Sequence, residues 1–272
     1  MPVTHSQTTL SCSANRFAEL REHDLVSQLD HDALPRHVAV IMDGNGRWAS
    51  QRNLPRIAGH KKGLTALREV LHTFCLLEIP LVTIYAFSQE NWNRPRIEID
   101  LLMSLLEEFL HRERRIFHER KMRFLPIGHI HTLPSSVQNI VHAIAGETRS
   151  FTNRTVCVAL SYGGRSEILD AANQLIEDVQ CGKVSGPIHE TQFQQYLATA
   201  NLPDPDLLIR TSGEVRISNF FLWQLAYTEL YFTETLWPDF RQREVLLALL
   251  DYQKRERRFG RLSHAVSLQS RL

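Results

Sequence analysis

Few features of this sequence point to a secreted, membrane-spanning or zinc-binding protein. Its 272 residues include only four cysteines, and none forms a CxxC pair or has a partner at zinc-site spacing: Cys12, Cys75, Cys157 and Cys181. The N-terminus lacks a basic start followed by a long apolar stretch, and no run approaches the roughly 18 apolar residues of a membrane-spanning helix. We therefore expect free thiols and a cytoplasmic protein.

Excess charge and linkers are absent as well. Lys and Arg (31) almost balance Asp and Glu (30), which excludes a general attraction to nucleic acid. No stretch is rich enough in Pro, Gly or Ser to divide the chain, and 43% hydrophobic residues suffice for a sizeable core. The sequence predicts a flexible N-terminal arm over 1–30, a single domain over 31–262 and a C-terminal tail over 263–272.

Short apolar runs alternate with longer amphipathic segments from Pro35 onward. Apolar residues at helical spacing predict helices over 63–78, 99–120, 165–179 and 242–256. Alternation of strand and helix indicates an α/β fold with a central, mostly parallel six-stranded sheet flanked by helices. The predicted strands cover residues 37–42, 81–87, 122–128, 155–161, 206–211 and 229–232.

Four of the predicted strands end in polar loops that each contain an arginine. Ligands of open parallel sheets collect at the carboxyl ends of the strands, so the clustering of Arg and Gly in these loops indicates a functional site at that edge. The loops are DGNGR (43–47), SQENWNR (88–94), YGGR (162–165) and RTSGE (210–214).

The first loop, GNGRWA (44–49), has a loose dinucleotide-binding pattern. A nicotinamide site is disfavoured because the next strand ends about 40 residues on, too far for the ribose-binding acid, and no GK[ST] follows for a P-loop. The glycines either shape a turn only or, with Arg47, Arg56 and His60, hold a diphosphate. Asp43 would repel that ligand unless Mg²⁺ lay between them, which is how Mg²⁺ usually binds substrate phosphates.

A second anion site is predicted around Arg210, Arg216 and Ser218. The alternative is a pair of surface ion pairs, with Glu214 as the obvious partner. The apolar run that follows contains Glu229, a carboxylate that is costly to bury unless it is paired or holds a metal. Two arginine-containing sites suggest that two phosphorylated substrates meet.

Taken together, these motifs resemble the cis-prenyltransferase (isoprenyl transferase) family, in particular its bacterial undecaprenyl diphosphate synthases. The resemblance runs in order from about residue 35 to 260, through HVAVIMDGNGRWA, RIAGHKKG, YAFSQENWNRP, SYGGRSEI, DLLIRTSGEVRISNFFLWQLAYTELYF, WPDF and RRFG. It implies an α/β enzyme with a hydrophobic tunnel, homodimeric and dependent on Mg²⁺.

The implied reaction is sequential cis-condensation of isopentenyl diphosphate onto an allylic diphosphate such as farnesyl diphosphate. The implied product is undecaprenyl diphosphate for the cell-wall lipid carrier, and a short-chain product of roughly 10 to 20 carbons is the alternative. A non-catalytic partner subunit is disfavoured because Asp43 and the glycine–arginine loop are both present. The DDxxD motif of trans-prenyltransferases is absent.

By the same resemblance, Asp43 and Glu229 are the metal-associated carboxylates, and Asn91 stands where the family's proton-accepting Asn stands. A neutral amide is a weak base, so the diphosphate or a water molecule are alternatives to Asn91. Val215 replaces a His found in some members. The implied substrate-binding residues are Gly44, Asn45, Gly46, Arg47, Trp48, Arg56, His60, Ser88, Gln89, Glu90, Trp92, Arg94, Arg210, Arg216, Ile217 and Ser218.

The tunnel and the surface give further expectations. The apolar stripe of helix 99–120 and the small Ala86 are candidate tunnel walls, with ordinary core packing as the alternative. The basic cluster at 112–123 either contacts anionic lipid at the inner membrane face during product release or is a solvated helix face. In a homodimer the RRFG segment (257–260) would approach the partner's site, and the apolar run 220–232 would form the seam.

Overall fold

A computed structural model describes residues 21–255 of the chain. Its centre is a six-stranded sheet with the strand order β3-β4-β2-β1-β5-β6, and every neighbouring pair is parallel. The predicted α/β class and the six predicted strands are confirmed. The strands are β1 (His37–Ile41), β2 (Leu81–Ser88), β3 (Met122–Ile127), β4 (Arg154–Tyr162), β5 (Leu207–Arg210) and β6 (Glu229–Phe232).

Helices cover the sheet and connect its strands. The long helices α3 and α4 lie between β1 and β3 in the chain, and they later form one wall of the site. The helices are α1 (Glu22–Val26), α2 (Asn45–Ser50), α3 (Arg56–Leu76), α4 (Arg96–Glu119), α5 (Ser135–Thr148), α6 (Gly164–Gln180), α7 (Glu190–Gln194) and α8 (Gln242–Gln253). Short 3₁₀ segments include Gln89–Asn93 and Trp237–Asp239.

The central strand β1 is buried from solvent because it lies between β2 and β5 in the sheet. All five residues of β1 are buried, and Val38 pairs with Val82 on one side and Leu207 on the other. A parallel strand covered by helices on both faces has no solvent-facing side, which is why its sequence is a continuous apolar run rather than an alternating one. This arrangement directs the loop after β1 to the middle of the carboxyl edge.

Three helices begin directly after a proline. Pro55, Pro95 and Pro134 precede α3, α4 and α5, where the missing N–H costs nothing because the first turn has no intrahelical acceptor for it. The predictions for α3 and α4 began several residues late, since the first turns of both helices are largely polar and lie outside the apolar stripe. Helix α5 was not predicted; it buries Val137, Ile140, Val141 and Ile144.

The predicted N-terminal arm needs correction in its second part. Leu25 is fully buried and Leu29 nearly so, both within the core cluster that includes α8. Asp30 exchanges two hydrogen bonds with the side chain of Gln253, at 3.2 and 2.5 Å. Residues 21–30 therefore pack on the domain instead of extending from it. The rest of the arm, with Cys12, lies outside the described residues, as do RRFG (257–260) and the tail.

Two expectations about thiols and membranes can be compared with residues 21–255. Cys75, Cys157 and Cys181 are free, the first two buried and the third exposed. Within this range, each helix is too short or too polar to span a bilayer. The basic cluster is a solvated helix face at Arg112 and Arg115, which pair with acids one turn away on α4 at 2.5 and 3.2 Å.

His37 at the start of β1 is a buried, neutral histidine. Its Nδ1 lies 2.7 Å from the carbonyl oxygen of Pro203 and its Nε2 lies 2.7 Å from the hydroxyl of Thr83. Nδ1–H therefore donates to the carbonyl, and Nε2 accepts from the hydroxyl. Burial lowers the pKa of His37 to about 4. The ring joins β1 to β2 and to the segment before β5.

We expect this histidine to make the fold sensitive to mild acid. Between pH 7 and 5 the unfolded His37 takes up a proton that the folded ring does not, so stability falls as pH falls. For a pKa of about 4 in place of about 6.5, the loss over this range is about 2 kcal/mol. Urea unfolding of the wild type and of His37→Gln at both pH values measures it. A loss of equal size in the two proteins would contradict the assignment.

Candidate active site

Asp43 follows β1 and is fixed by the backbone around it. Gly44 adopts a φ of 105°, which lets the chain turn directly into α2, and its N–H donates to Oδ1 of Asp43 at 2.7 Å. The hydroxyl of Thr211 donates to the carbonyl oxygen of Asp43 at 2.7 Å. The other carboxylate oxygen, Oδ2, accepts from Arg210 at 2.9 Å. The carboxylate is therefore held at the carboxyl edge of the sheet.

Arg210 ends β5 and connects the two predicted anion loops. Its side chain is 3% exposed, and besides Asp43 it donates to the carbonyl oxygen of Arg216 at 2.5 Å and to the hydroxyl of Ser218 at 2.7 Å. Arg47 makes a second connection, from α2 to the carbonyl oxygen of Ser212 at 2.8 Å. The loops that the sequence analysis treated as two sites are two sides of one site.

Glu98 organises the basic side chains on the opposite side of this site. Its carboxylate accepts from Arg94 at 3.1 Å and from Arg56 at 3.3 Å, and Nε2 of His60 lies 3.9 Å away. The sequence analysis missed Glu98, although its position four residues after Arg94 is the spacing of a helical ion pair. Burial, followed by repulsion from Arg94, lowers the pKa of His60 to about 4, so its imidazole is neutral at pH 7.

Helix α3 approaches α2 so closely that glycine is required at the contact. A Cβ at Gly59 would lie 1.9 Å from the carbonyl oxygen of Asn45, and a Cβ at Gly63 would lie 2.3 Å from the side-chain oxygen of Asn45. Trp237 closes the same contact, because its Nε1 donates to the carbonyl oxygen of Gly63 at 2.9 Å. Gly59 and Gly63 therefore determine how closely the Asp43 loop and α2 approach α3.

Behind the charged mouth lies a cavity of about 540 Å³ between the sheet and helices α3 and α4. This volume is within the range of about 300–1,000 Å³ that is usual for ligand pockets. Ala86 faces the cavity as predicted, and the apolar stripe of α4 forms a wall as well as core. The apolar lining includes Leu67, Leu71, Ile84, Ala86, Phe87, Leu102, Leu105, Leu106, Phe109, Leu110, Phe117, Phe124, Val156 and Val158.

Several polar atoms around the mouth have unused hydrogen-bonding capacity. Among residues 21–255, buried atoms without a partner include Oδ1 of Asn45, Nε2 of His60 and Nε of Arg210, and all three side chains line the cavity. A buried polar group without a partner is costly, and native structures satisfy nearly all of them. Three such atoms at one mouth are what a site for a polar ligand would show before the ligand binds.

Not every residue implied by the resemblance lines this cavity. Those that do are Asp43, Gly44, Asn45, Gly46, Arg47, Arg56, His60, Ser88, Asn91, Arg94, Arg210, Arg216 and Ser218. Trp48 instead turns toward Asp239, to which its indole donates at 2.7 Å. Gln89 contacts the ring of His129 at 2.9 Å, Trp92 donates to Ser161 at 2.9 Å, and Ile217 packs on an internal apolar cluster.

Ser88 and Asn91 reach the mouth through an irregularity at the end of β2. The pairing register between β2 and β4 shifts around Phe87, and the 3₁₀ segment Gln89–Asn93 follows immediately. Oδ1 of Asn91 accepts from the N–H of Ser88 at 3.1 Å, which fixes the amide next to the cavity. Glu90 accepts from Asn219 at 2.8 Å. Its burial opposes ionisation, but this hydrogen bond helps to hold the pKa of Glu90 below its usual value.

Glu229 is not brought to the site within this chain. Glu229 pairs with Leu207 at the amino end of β5, whereas Phe232 pairs with Arg210 at the carboxyl end. Glu229 therefore lies three residues, or roughly 10 Å, along the strand from the carboxyl edge. Its carboxylate accepts from Arg255 at 3.0 Å. The resemblance made Glu229 a metal-associated carboxylate like Asp43, but within this chain the strand register keeps it away from the cavity that Asp43 lines.

These features together define a class of enzyme. A mouth with several arginines and one fixed aspartate suits a diphosphate, and the apolar cavity behind it suits a hydrocarbon chain attached to that diphosphate. Prenyl diphosphates are a class of ligand with both parts, so fold and site fit an α/β enzyme that acts on prenyl diphosphates.

Comparison with known proteins agrees with this class. The family model described as "Putative undecaprenyl diphosphate synthase" matches residues 41–260. An isoprenyl transferase of Heliobacterium mobile is 48% identical over 240 residues, covering 88% of this chain and 92% of that protein. An isoprenyl transferase of Thermotoga maritima is 47% identical over 229 residues, covering 84% of this chain and 98% of that protein.

Solved structures show the same fold. Lavandulyl diphosphate synthase from Lavandula x intermedia, in complex with dimethylallyl diphosphate, matches with a TM-score of 0.82 at 38% identity, covering 84% of this chain and 99% of that one. A probable undecaprenyl diphosphate synthase from Campylobacter jejuni matches with a TM-score of 0.70 at 32% identity, with the same coverage. The chain belongs to the undecaprenyl diphosphate synthase (isoprenyl transferase) family and is a prenyltransferase.

The glycine contact gives a prediction about stability. Gly59→Ala places a methyl group against the backbone of Asn45, so we expect a loss of roughly 3 kcal/mol or more. Gly146→Ala on α5 is the matched control: its methyl group meets no atom within 4 Å, and we expect a gain of about 0.5–1 kcal/mol. Denaturant unfolding measures both. Similar effects of the two substitutions would show that α2 does not lie against α3 as described.

Proposed function

We propose that this protein is a Mg²⁺-dependent cis-prenyltransferase that condenses isopentenyl diphosphate onto an allylic diphosphate. Farnesyl diphosphate is the expected primer and undecaprenyl diphosphate the expected product. The observation that carries the proposal is the cavity of about 540 Å³ with Asp43 and the arginines at its mouth and hydrocarbon side chains behind them.

In this proposal the primer's diphosphate lies against the Asp43 loop and α2. The first-turn N–H groups of a helix lack intrahelical acceptors, and the guanidinium of Arg56 lies against Gly46, where a Cβ would be 3.1 Å from its Cζ. With Arg47 this provides donors on several sides of one anion. The primer's hydrocarbon chain then extends between α4 and the sheet, where each buried CH₂ contributes about 0.8 kcal/mol.

The second substrate is assigned to the side formed by Arg216 and Ser218. Both line the same cavity, and Arg210 holds the hydroxyl of Ser218 and the backbone of Arg216 beside Asp43. The two diphosphates would therefore lie on opposite sides of Arg210. This proximity supports a reaction in which the allylic carbon of the primer meets the double bond of the second substrate.

The residues present fit a magnesium ion at Asp43. Mg²⁺ usually binds through one or two carboxylates together with substrate phosphates, and the side chain of Asp43 is 32% exposed where the cavity opens. Bound there, Mg²⁺ would stabilise the negative charge on the leaving diphosphate. Within residues 21–255 no group of three or more acidic, His or Cys side chains forms a metal site, in keeping with a metal that needs substrate oxygens.

Asn91 is proposed to position the proton acceptor. Its carbonyl oxygen already accepts from Ser88, and a neutral amide binds a proton too weakly to act as a base near pH 7. The amide group would therefore hold the departing diphosphate or a water molecule in line with the proton that is lost when the new bond forms.

The length of the product separates two candidates. The structural similarity to a lavandulyl diphosphate synthase favours a short product, whereas the bacterial relatives and the long apolar wall of α4 favour a longer one. We place undecaprenyl diphosphate first and a short-chain cis-prenyl diphosphate second. Sizing of the products made from farnesyl diphosphate, radiolabelled isopentenyl diphosphate and Mg²⁺ distinguishes them, and no elongation at all would refute both.

Assembly and location complete the proposal. β6 is the edge strand of the sheet, and Tyr227 and Leu230 near it are 73% and 38% exposed. An exposed apolar edge of this kind is normally covered, which supports a homodimer formed through the run 220–232. The proposed location is the cytoplasm, with transient contact at the inner membrane face when an apolar product leaves for cell-wall lipid synthesis.

Asp43→Asn tests the metal assignment. The substitution keeps the size of the side chain but removes its charge, so we expect turnover to fall by about 100-fold or more and the Mg²⁺ requirement to be lost or shifted upward. Asp32→Asn, on the exposed segment before β1, is the matched control and should leave both unchanged. Magnesium titrations of initial rates provide the measurement. Full activity of Asp43→Asn would contradict the assignment.

Arg56→Ala and Arg216→Ala test which side of the site holds which substrate. We expect Arg56→Ala to raise the KM for farnesyl diphosphate by about tenfold or more, since a charge-assisted hydrogen bond to phosphate is lost. Arg216→Ala should raise the KM for isopentenyl diphosphate instead. Steady-state kinetics with each substrate varied in turn gives both constants. The reverse pattern would show that the two sides have been exchanged.

A further inference from the structure

The start of α6 is occupied by another segment of the chain rather than open to a ligand. Its loop, YGGR (162–165), is one of the four arginine-containing loops at the carboxyl ends of strands. The N–H of Gly164 donates to the carbonyl oxygen of Asn219 at 2.7 Å, and the N–H of Arg165 donates to Oδ1 of the same residue at 2.9 Å. No side chain of its own caps this helix. Asn219 therefore supplies the cap from 54 residues away.

The two glycines of this motif are what permit the contact. A Cβ at Gly163 would lie 2.8 Å from Nδ2 of Asn219 and 3.0 Å from the side-chain oxygen of Gln89. A Cβ at Gly164 would lie 2.8 Å from Cγ of Leu222 and 3.0 Å from its backbone nitrogen. A side chain at Gly164 would press on the backbone of the segment around Asn219, whereas one at Gly163 would displace the side-chain amides of Asn219 and Gln89.

Asn219 also contacts a third segment. Its Nδ2 donates to Oε1 of Glu90 at 2.8 Å, in the 3₁₀ turn that carries Asn91 to the mouth of the cavity. The two polar atoms of one amide thus join the β2 end of the site to the start of α6. The backbone of the same residue is continuous with Ser218, on the side assigned to isopentenyl diphosphate.

The loop that Asn219 holds has an unfavourable backbone conformation. Ser218, Asn219 and Phe221 have φ values of 48°, 61° and 46°, in the left-handed region that L-residues rarely adopt. Such residues cost of the order of 1–3 kcal/mol each and persist only where surrounding contacts enforce them. Asn tolerates this region better than most residues, and its three hydrogen bonds to Gly164, Arg165 and Glu90 are contacts that enforce it.

We infer that Asn219 is a positioning residue that holds Arg216 and Ser218 in the geometry needed to bind the second diphosphate. This inference rests on the proposed function. Asn219 itself does not line the cavity, so it acts through the two residues that precede it. The start of α6, which resembles an anion site in sequence, serves as the anchor for an anion site formed by the neighbouring loop.

The experiment compares Asn219→Ala, Asn219→Asp, the double variant Glu90→Gln with Asn219→Asp, and the control Asn173→Ala on an exposed face of α6. For Asn219→Ala we expect the KM for isopentenyl diphosphate to rise on the order of 10- to 100-fold, since small displacements of a binding group are costly. The KM for farnesyl diphosphate should change by less than about threefold, because Arg56 lies on α3 and pairs with Glu98 rather than with this loop. Asn173→Ala should match the wild type.

The Asp variant tests the contact with Glu90. Asn219→Asp keeps the oxygen that accepts from Arg165 but places a carboxylate against Glu90, so we expect weak binding of isopentenyl diphosphate. Adding Glu90→Gln restores an amide donor between the two positions and should recover at least part of that loss. Equal affinities for the single and double Asp variants would overturn the inference, as would an Asn219→Ala variant that raises both KM values equally or only lowers the melting temperature.

Two further measurements separate this inference from the proposed function. Calorimetric titration with isopentenyl diphosphate shows whether the wild type binds that substrate without turnover. Hydrogen exchange of the 216–221 and 163–167 amides reports the anchoring itself, and we expect faster exchange in Asn219→Ala. Wild type that neither binds nor elongates the substrate refutes the proposed function; unchanged exchange in the variant refutes the anchoring in either case.

Discussion

The structure depends on one buried guanidinium. Arg210 ends a central strand, is almost fully enclosed, and donates through its two terminal nitrogens to Asp43, Ser218 and the backbone of Arg216, while its Nε has no partner among the described residues. Removing a partner from a buried charge costs several kcal/mol, so these groups must stay together for the fold as well as for the chemistry. Under the proposed function, this cation would be available to both diphosphates before either is bound, which is the preorganisation that electrostatic catalysis requires.

Much of this arrangement was predictable because it follows from local rules. Continuous apolar runs such as that of β1 identify buried parallel strands, and their carboxyl ends identify the edge where a ligand binds. The position of the Asp43 loop at this edge follows from these rules, and the structure places Arg47, Arg56 and Arg210 around the same cavity. The family resemblance, which the comparisons confirm, then assigned the chemistry.

What could not be predicted depends on register and on long-range contacts. Glu229 was placed with Asp43 by motif, yet the pairing of β5 with β6 moves it to the other end of the strands. Trp48 follows the Asp43 loop in sequence, but its indole donates to Asp239 instead of lining the cavity. Glu98 and Asn219 each join segments more than 40 residues apart, and no periodicity in the sequence reports such a contact.

The amide of Asn219 has a thermodynamic consequence beyond holding a loop. It connects the segment that carries Asn91 with the segment that carries Ser218, so a shift of either is transmitted to the other. If occupation of the primer's side changes the affinity of the other side by some factor, linkage requires that the second substrate change primer affinity by the same factor. Under the proposed function, a favourable coupling would raise the population of enzyme with both substrates bound, and an unfavourable one would lower it.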